Sequence, residues 1–436
     1  RLMFAGLAGS APAVFLSTLD LPLGVVVCND LTGAGYMFSD LTAILGPDAV
    51  AIFPSGYKRD IKYGQPDGPQ QILRTETLDR LHAPKSNLTW IVTYPEALAE
   101  RVAAPEAMAR DTLRFHPGDT VRISELLQRL LDMGFHKVDY VYEPGQFAVR
   151  GSIFDIFSYS RDMPYRFDFF DEDIDTIRTF NIETQLSEGK EDEAVILSAR
   201  ASDATGGVSL LDTLDTDTVL FCADPEFVTA RVASVAAQTY SDSAVIAGEG
   251  DPDSMQKVVD PDEFRARFEA MRVAQFTPNR EAGENMAGLA RMVFDTAPQT
   301  LYHKNFDLIA DSFADFLAKG YRIMVLSDSA RQTDRLKEIF EDRGDDIVFT
   351  HVEPTLHEGF IDRGTKSCFF TDHQIFDRFH NYTLKADRAR SGRVALSLKE
   401  LNQIEPGDYI VHVDHGVGRF GGLLRTQVNG STQEMI

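Results

Sequence analysis

The sequence predicts a multidomain α/β protein in which a parallel-sheet domain is interrupted by a mostly antiparallel α+β insert. Three observations support this fold class. Short apolar runs alternate with helical segments from residue 1 to about residue 110, as is typical of a parallel sheet. Closely spaced strand signals follow His116, and the alternating pattern returns from Thr218. A small α/β domain and a partial β-barrel are expected after it.

The first alternating stretch contains three short apolar runs that have the length of buried strands. These are Gly24–Cys28, Ala49–Phe53 and Leu88–Thr93. Asn29 and Asp30 can cap a helix, which is predicted over Leu31–Leu45. Pro95 suits the first turn of a further helix, which is predicted to continue to Val102.

The insert begins after a turn at Pro117–Asp119. Ser124 can cap a helix over Glu125–Met133, and Gly134 is expected to end it. Four strands are then predicted: Lys137–Tyr142, Phe147–Phe157, Tyr165–Phe170 and Thr176–Ile182. Because strand signals follow one another closely here, the insert is expected to be mostly antiparallel.

The alternating pattern returns with the strand Val219–Cys222 and the helix Glu226–Gln238, and Ser241–Glu263 resembles a polar surface connection. A smaller α/β unit follows, with strands predicted at Arg322–Leu326, Asp346–His351 and Lys366–Thr371 and a helix, capped by Ser327 and Asp328, to about Arg343. Lys385–Arg393 is a basic linker candidate, and Gly407–Phe420 alternates like the start of a small barrel.

These patterns divide the chain into an alternating α/β part up to about residue 110, a mostly antiparallel insert, a second alternating part from Thr218, a smaller α/β unit, a basic linker and the start of a barrel.

The charge balance limits the kinds of partner that the chain can bind. Its 436 residues include 43 Lys and Arg against 67 Asp and Glu, so the formal net charge is −24. The electrostatic field of so negative a chain repels phosphate backbones, so the chain is not expected to be the main DNA-binding part of a protein.

Cysteine usage and hydropathy predict a cytoplasmic protein. The three cysteines, Cys28, Cys222 and Cys368, are odd in number and far apart, which indicates neither a disulfide framework nor a thiolate metal site. No apolar run reaches the length of about 18 residues that spans a bilayer. The apolar start over residues 1–19 leads directly into the α/β pattern, so it is not interpreted as a signal segment. The chain is expected to be a piece of a longer protein.

The loop Gly6–Ala13 (GLAGSAPA) has glycines before a helix but does not match a working phosphate loop. Such a loop needs a lysine and a hydroxyl residue after its last glycine, and here the lysine is missing. The histidines cluster without the spacing of a zinc site, and Cys368 lies inside an apolar run. We therefore expect no catalytic residue, cofactor or metal site.

The segment Tyr165–Phe170 (YRFDFF) is the most informative part of the insert. In a strand, Tyr165, Phe167 and Phe169 share one face, so Arg166 and Phe170 share the other. Arginine and aromatic side chains dominate protein–protein hot spots. Arg150 is expected beside them, re-aimed by a bulge at Gly151. Alternatively, Arg166 pairs with Asp168 or the run Asp171–Asp175, and Phe170 covers the core.

Several motifs in the insert and beyond it resemble one known family, the bacterial transcription-repair coupling factors (Mfd). In the insert they are Val138–Tyr140, Glu143–Gly145, Val149–Phe157, Pro164–Asp171 and Ile174–Asp175, which are similar to the family's UvrA-binding domain, also present in the excision-repair protein UvrB. Pro406–Phe420 resembles the start of the family's CarD-like domain, which interacts with RNA polymerase. The resemblance covers nearly the whole chain. It implies six segments: 1–112 and 200–300 as the two halves of a UvrB-like α/β domain, 113–199 as the UvrA-binding insert, 301–384 as the small third domain, 385–402 as a linker and 403–436 as the start of the CarD-like domain.

The resemblance implies that this chain docks UvrA in transcription-coupled nucleotide excision repair. Its motifs carry the family's contact positions onto Arg150, Arg166 and Phe170. It also implies a degenerate P-loop-type sheet domain, related to UvrB but without a nucleotide site. The alternative is a UvrB-like repair protein that binds DNA and nucleotide directly.

Two further expectations come from the family. The CarD-like segment implies contact with RNA polymerase through His412, Gly416 and Arg419. The family's motor, an ATP- and magnesium-dependent DNA translocase of helicase superfamily 2, contains Walker motifs that are absent from this sequence. Binding of ATP, magnesium and DNA is therefore expected of the motor and not of this chain.

Overall fold

The computed structural model describes the larger part of the chain and divides it into two compact units, Arg1–Asp387 and Arg388–Ile436. The described residues are 2–58, 65–66, 68–83, 86–182, 184–197, 207–239, 258–284, 288–378, 382, 407, 409–412, 416–419, 424–428 and 431–435. The predicted linker Lys385–Arg393, most of the predicted connection Ser241–Glu263, His380 and His415 lie outside them.

Residues up to 112 supply alternating strands and helices. They are β1 (Leu2–Ala5), α1 (Ala11–Ser17), β2 (Gly24–Val27), α2 (Leu31–Leu45), β3 (Val50–Phe53), β4 (Tyr57–Lys58), β5 (Gln65–Pro66), α3 (Gly68–His82), β6 (Trp90–Thr93), α4 (Pro95–Leu98) and α5 (Pro105–Arg110). The predicted bounds of α2 are confirmed, and Asp30 caps it by accepting a hydrogen bond from the Gly33 amide. The helix at Pro95 is a single turn and ends before Val102.

The segment that follows is dominated by strands. It comprises β7 (Leu113–Phe115), α6 (Ile123–Asp132), β8 (His136–Lys137), β9 (Gln146–Arg150), β10 (Ile153–Ile156), β11 (Tyr165–Phe170), β12 (Asp173–Phe180), β13 (Ser187–Glu191) and β14 (Ala194–Ile196). Strands β8 to β13 form one six-stranded sheet, and β7 pairs with β14. Every pair in the six-stranded sheet is antiparallel except β8 with β9.

Three local predictions in this segment are wrong. Of the predicted strand Lys137–Tyr142, only Lys137 lies in a strand, the two-residue β8, because the chain bends at residues 139–140. The predicted single strand Phe147–Phe157 is a hairpin, β9 and β10, that turns at Gly151. Helix α6 is preceded by Arg122 as its N-cap, and Ser124 lies within it.

The α/β pattern then resumes in two sheets. A 3₁₀ helix (Leu210–Thr213), β15 (Val219–Cys222), α7 (Pro225–Thr239), α8 (Pro261–Ala270), β16 (Arg272–Thr277) and β17 (Ala290–Val293) come first, followed by β18 (Thr296–Pro298), α9 (Phe306–Ala318), β19 (Arg322–Leu326), α10 (Ala330–Arg343), β20 (Thr350–Val352), β21 (Phe360–Asp362), β22 (Ser367–Thr371) and α11 (Asp372–Ile375). The N-cap of α10 is Ser329, not the predicted Ser327 and Asp328.

The main sheet is entirely parallel and has seven strands in the order β17-β1-β16-β15-β2-β6-β3. Strands that precede and strands that follow the antiparallel segment in the chain belong to this one sheet. Strand β15, which follows the segment, lies between β2, which precedes it, and β16. Strands β2, β3 and β6 are apolar and buried on both faces, as expected where helices cover both sides of a sheet, whereas the edge strand β17 is mostly exposed. The protein is therefore an α/β protein with a parallel sheet and additional mixed sheets.

A second, five-stranded sheet has the order β18-β21-β22-β19-β20. Its first strand, Thr296–Pro298, precedes the predicted boundary at residue 301. Its core is aromatic and includes Phe313, Phe340 and Phe370, whose rings pack against one another or against Phe349. We call this sheet and its helices, residues 296–378, the small domain.

The second compact unit contains four described strands. They are β23 (Tyr409–His412), β24 (Gly416–Arg419), β25 (Leu424–Val428) and β26 (Ser431–Met435). They pair as two separate antiparallel hairpins, β23 with β24 and β25 with β26. The predicted strand alternation is present, but the described residues of this unit show hairpins and not a barrel.

Candidate protein-interaction surface

The six-stranded sheet of the insert has one buried and one open face. On β11, Tyr165, Phe167 and Phe169 are buried in an aromatic core beneath α6, which confirms their predicted orientation. Arg166 therefore points to the opposite face together with Phe170. A bulge falls between Asp168 and Phe169, but its extra residue lies on β12, so the alternation along β11 is preserved.

Phe170 is the most exposed of the predicted site residues, with 80% of its surface accessible. It ends β11 and pairs with Asp173 across a two-residue turn. Asp171 occupies the first turn position with φ of 58°, a conformation that Asp tolerates better than most residues. The alternative that Phe170 covers the core is therefore wrong.

The two predicted arginines share one buried carboxylate, that of Asp155. Arg166 donates to Asp155 from Nε over 2.7 Å and from Nη2 over 2.9 Å, and Arg150 donates to it from Nη2. The Asp155 side chain is 0% exposed. The hydrogen bond with Asp155 raises the pKa of the Arg166 guanidinium. We call these three side chains the arginine cluster.

The register of the hairpin explains how the arginine cluster forms. Asp155 on β10 lies directly opposite Arg166 on β11. Arg150 ends β9 and faces Ile153 across the turn at Gly151, whose φ of 63° suits glycine. Gly151 therefore forms the hairpin turn, and the predicted bulge at this position is wrong. The turn brings Arg150 back toward Asp155.

The predicted pairing of Arg166 with Asp168 is also wrong. Asp168 instead accepts hydrogen bonds from Arg178 and from the Thr176 hydroxyl, both on β12. Two groups of ion pairs thus lie side by side on the open face, one around Asp155 and one around Asp168. The carboxylate of Asp155 is fully buried, whereas the side chain of Asp168 is 24% exposed.

Backbone carbonyls and aromatic rings hold the guanidinium groups further. Arg150 donates to the Asp139 carbonyl over 2.9 Å and stacks 4.7 Å from the ring centre of Tyr140. Arg166 donates to the Gln185 carbonyl over 2.9 Å and lies 4.3 Å from the ring centre of Phe180. Both groups are therefore fixed in position while part of each faces solvent.

Exposed apolar side chains surround the arginine cluster. Tyr140 and Tyr142 are each half exposed in the segment after β8, and Leu186 is more exposed in the loop before β13. Gln185 connects the two loops by donating to the Val141 carbonyl. Together with Phe170 they give the open face apolar as well as cationic groups.

Sequence reasoning missed Asp155, Tyr140 and Gln185. A signal for Asp155 was present, since it is the one charged residue in the apolar run Ile153–Phe157. Charged residues are rarely buried unless they are paired. The roles of Tyr140 and Gln185 carried no local signal, because both depend on loop conformations.

The residues predicted to contact a polymerase lie in the second compact unit. His412 and Gly416 face each other across the β23–β24 hairpin. Arg419 is exposed, donates to the Tyr409 hydroxyl over 3.2 Å and lies 5.0 Å from that ring's centre. The side chain of His412 is outside the described residues.

The described part of the chain has no group of three His, Cys, Asp or Glu side chains that could hold a metal ion. No described helix is long and apolar enough to cross a membrane. Burial raises the pKa of the Cys28, Cys222 and Cys368 thiols to about 12.

Comparisons with known proteins match two regions to family models. Residues 113–201 match the UvrB interaction domain, which covers the arginine cluster and Phe170. Residues 404–436 match the CarD-like/TRCF RID domain. Both matches fall where the motifs of the sequence predicted related domains.

Several relatives that match most or all of the chain carry the name transcription-repair-coupling factor. The protein from Bacillus subtilis strain 168 is 23% identical over 100% of this chain, and that from Staphylococcus haemolyticus is 22% identical over 100%. The protein from Staphylococcus aureus strain RF122 is 21% identical over 94%. The chain spans only 41–43% of the length of these relatives. Two domain models and these matches confirm the resemblance seen in the motifs: the chain is similar to transcription-repair-coupling factors over its whole length.

Proposed function

We propose that this chain is a docking module that recruits UvrA during transcription-coupled nucleotide excision repair in the bacterial cytoplasm. The observation that carries the proposal is the arginine cluster with Phe170, which lies on the open face of the domain that matches the UvrB interaction model. In the parent protein, a C-terminal ATP-dependent translocase is proposed to displace the stalled RNA polymerase.

The chemistry of the open face suits a protein partner that is both acidic and apolar. Two guanidinium groups share one carboxylate, so the arginine cluster keeps a net positive charge within a strongly negative chain. Their positions are fixed by carbonyls and rings before binding, which reduces the conformational entropy lost on association. Phe170 adds an aromatic anchor of the kind that dominates hot spots.

The proposal is tested by titrating UvrA against the purified chain and its variants. Arg150→Ala, Arg166→Ala and Phe170→Ala are each expected to weaken binding by roughly 2 kcal/mol, about thirtyfold in Kd. Matched controls are Arg122→Ala, beside α6 on the opposite side of the sheet, and Phe227→Ala on α7, both exposed. They are expected to bind UvrA like the parent.

Two results would contradict the proposal in different ways. If the parent chain fails to bind UvrA, the docking function is wrong. If the parent binds but all three variants bind equally well, the docking function stands and the assigned surface is wrong.

We further propose that the chain itself has no catalytic activity. The support is the sequence Gly6–Ala13, which lacks the phosphate-loop lysine. Incubation of the purified chain with ATP and magnesium is expected to release no phosphate above a protein-free control. ATP hydrolysis that co-elutes with the chain in gel filtration would favour the UvrB-like alternative.

The second compact unit is proposed to contact RNA polymerase. This proposal rests on the match of residues 404–436 to the CarD-like/TRCF RID domain and on the exposed Arg419. Arg419→Ala is expected to reduce polymerase retention by the immobilised chain, while UvrA binding stays unchanged. Equal polymerase retention by variant and parent would remove Arg419 from the interface.

A further inference from the structure

The loop between β1 and α1, residues 6–10, lies where many α/β proteins bind phosphate. It leaves the carboxyl end of β1, a parallel strand beside the edge strand β17, and leads into a helix, and ligands of open α/β sheets bind at the carboxyl ends of the strands. Phosphate is held there by backbone amides at the strand-to-helix turn. What those amides bind in this chain therefore decides whether the position is available to a ligand.

Four amides of the loop already donate to atoms of the protein. Gly6 and Leu7 both donate to the Thr277 carbonyl, over 2.8 and 3.0 Å. Ala8 donates to the hydroxyl of Thr296, on β18 of the small domain, over 2.8 Å. Ser10 donates to the carbonyl of Glu358 over 3.2 Å. Two of the three acceptors, those of Thr296 and Glu358, thus belong to the small domain.

The segment His357–Gly359 of the small domain also lies against the loop. Its Glu358 amide donates back to the Ser10 hydroxyl over 2.9 Å, so these two residues are joined by a reciprocal pair of hydrogen bonds. The Gly359 carbonyl would lie 2.8 Å from a Cβ atom placed on Gly9. The small domain therefore fills the space directly above the loop.

Contacts on α2 hold the same segment from the side. The His357 amide donates to the Asp40 carboxylate over 2.6 Å. The His357 ring stacks on Tyr36 with 3.4 Å between ring centres and 13° between planes. Phe360, the next strand's first residue, is buried in the core of the parallel-sheet domain. A segment with these contacts is packed in place and is not merely near the loop.

We infer that the small domain serves as a built-in occupant of the phosphate-binding position, with the segment His357–Gly359 in the place of a ligand phosphate. Four of the five loop amides donate to the chain itself, so an external phosphate would have to displace the small domain. The same contacts lock the small domain onto the parallel-sheet domain. This role is independent of the docking of UvrA.

Hydrogen exchange at single amides tests the inference without a large perturbation. Ser10→Ala removes the acceptor of the Glu358 amide and also the hydroxyl that donates to Asp40, while Ser10 makes no side-chain capping bond within α1. The net contribution of one such bond is about 1 kcal/mol, so the Glu358 amide is expected to exchange at least fivefold faster than in the parent. Ser17→Ala, on the same helix, is the control because its hydroxyl bonds only the Val14 carbonyl.

A steric variant tests the close approach itself. Gly9→Ala would place a methyl group 2.8 Å from the Gly359 carbonyl, whereas Gly344→Ala at a comparable positive φ meets nothing within 4 Å. Gly9→Ala is expected to speed exchange across the segment His357–Gly359, and Gly344→Ala is expected to leave that exchange unchanged. Equal effects of the two variants on this segment would overturn the inference.

Inorganic pyrophosphate is the probe for a competing ligand. The parent chain is expected to show no saturable rise in Tm with pyrophosphate, and its Glu358 amide is expected to remain protected. A saturable rise in Tm, together with faster exchange of Glu358, would show that phosphate displaces the segment and would overturn the inference. Rapid exchange of the Ser10 and Glu358 amides in the untreated parent would overturn it as well.

Discussion

At the scale of single residues, Asp155 determines how the open face of the insert is built. Its buried carboxylate accepts hydrogen bonds from both Arg150 and Arg166. Removing one member of such a group leaves the others buried without compensation, which is costly in a medium of low dielectric constant. Without Asp155, the two guanidinium groups would also repel each other. We therefore regard Asp155 as a positioning residue for the proposed UvrA surface.

Asp155→Asn is expected to lower the free energy of unfolding by about 3 kcal/mol and to weaken UvrA binding. Urea unfolding and UvrA titration measure the two effects. Asp168→Asn is the matched control, because its ion pair with Arg178 lies on the same face but is more exposed. The control is expected to change stability by about 1 kcal/mol or less. Unchanged UvrA affinity in folded Asp155→Asn would show that the arginines need no such support.

Phe170 and Phe167 lie on one strand but should respond differently to truncation. Phe170→Ala removes an exposed ring, so its unfolding free energy is expected to stay within about 0.5 kcal/mol of the parent. Phe167→Ala removes a ring from the core and is expected to cost about 3–5 kcal/mol. Urea unfolding compares them, and a large loss of stability in Phe170→Ala would indicate a structural role.

At the scale of elements, the junction between α2 and the small domain contains a buried carboxylate. Asp40 is 5% exposed, and burial raises its pKa to about 6, while hydrogen bonds from the Ser10 hydroxyl and the His357 amide oppose the shift. Glu358 raises the pKa further and His373 lowers it. The junction is therefore expected to depend on pH.

The direction of this dependence follows from proton binding. The pKa of Asp40 is about 6 in the folded state and ordinarily 3.8, so the folded state binds more protons between these two pH values. The contribution of Asp40 to stability is therefore largest below pH 3.8 and falls as the pH rises through 6. Asp40→Asn is expected to stabilise the chain relative to the parent more at pH 7 than at pH 4, by on the order of 2 kcal/mol. Urea unfolding at both pH values measures the difference, and no difference would contradict it.

At the scale of the whole molecule, the net charge of −24 opposes binding to nucleic acid. Weak duplex DNA binding is expected even at low salt. Fluorescence anisotropy with a labelled duplex measures the binding, and a DNA-binding protein with many exposed lysines serves as the positive control. Tight binding that weakens steeply with added salt would contradict the prediction and favour the UvrB-like alternative.

Much of the local structure could be predicted because it depends on local periodicity. The bounds of α2, β11, β15 and β19 agree with the apolar patterns and caps of the sequence. The hairpin at Gly151 was missed because two strands separated by two turn residues are both apolar and look continuous. The predicted orientation of Arg166 and Phe170 is present, but the partner of Arg166 was wrong, because Asp155 and Asp168 are both within its reach.

The sequence by itself determined the α/β class, the antiparallel insert and the two faces of β11, since these follow from residue periodicity and capping over short distances. It also carried the motifs that relate the chain to the transcription-repair coupling factors. Only the tertiary structure decided that Arg150 and Arg166 share Asp155, and that Glu358 reaches Ser10, 348 positions away. Contacts of that kind depend on how sheets and domains pack, and no local pattern encodes them.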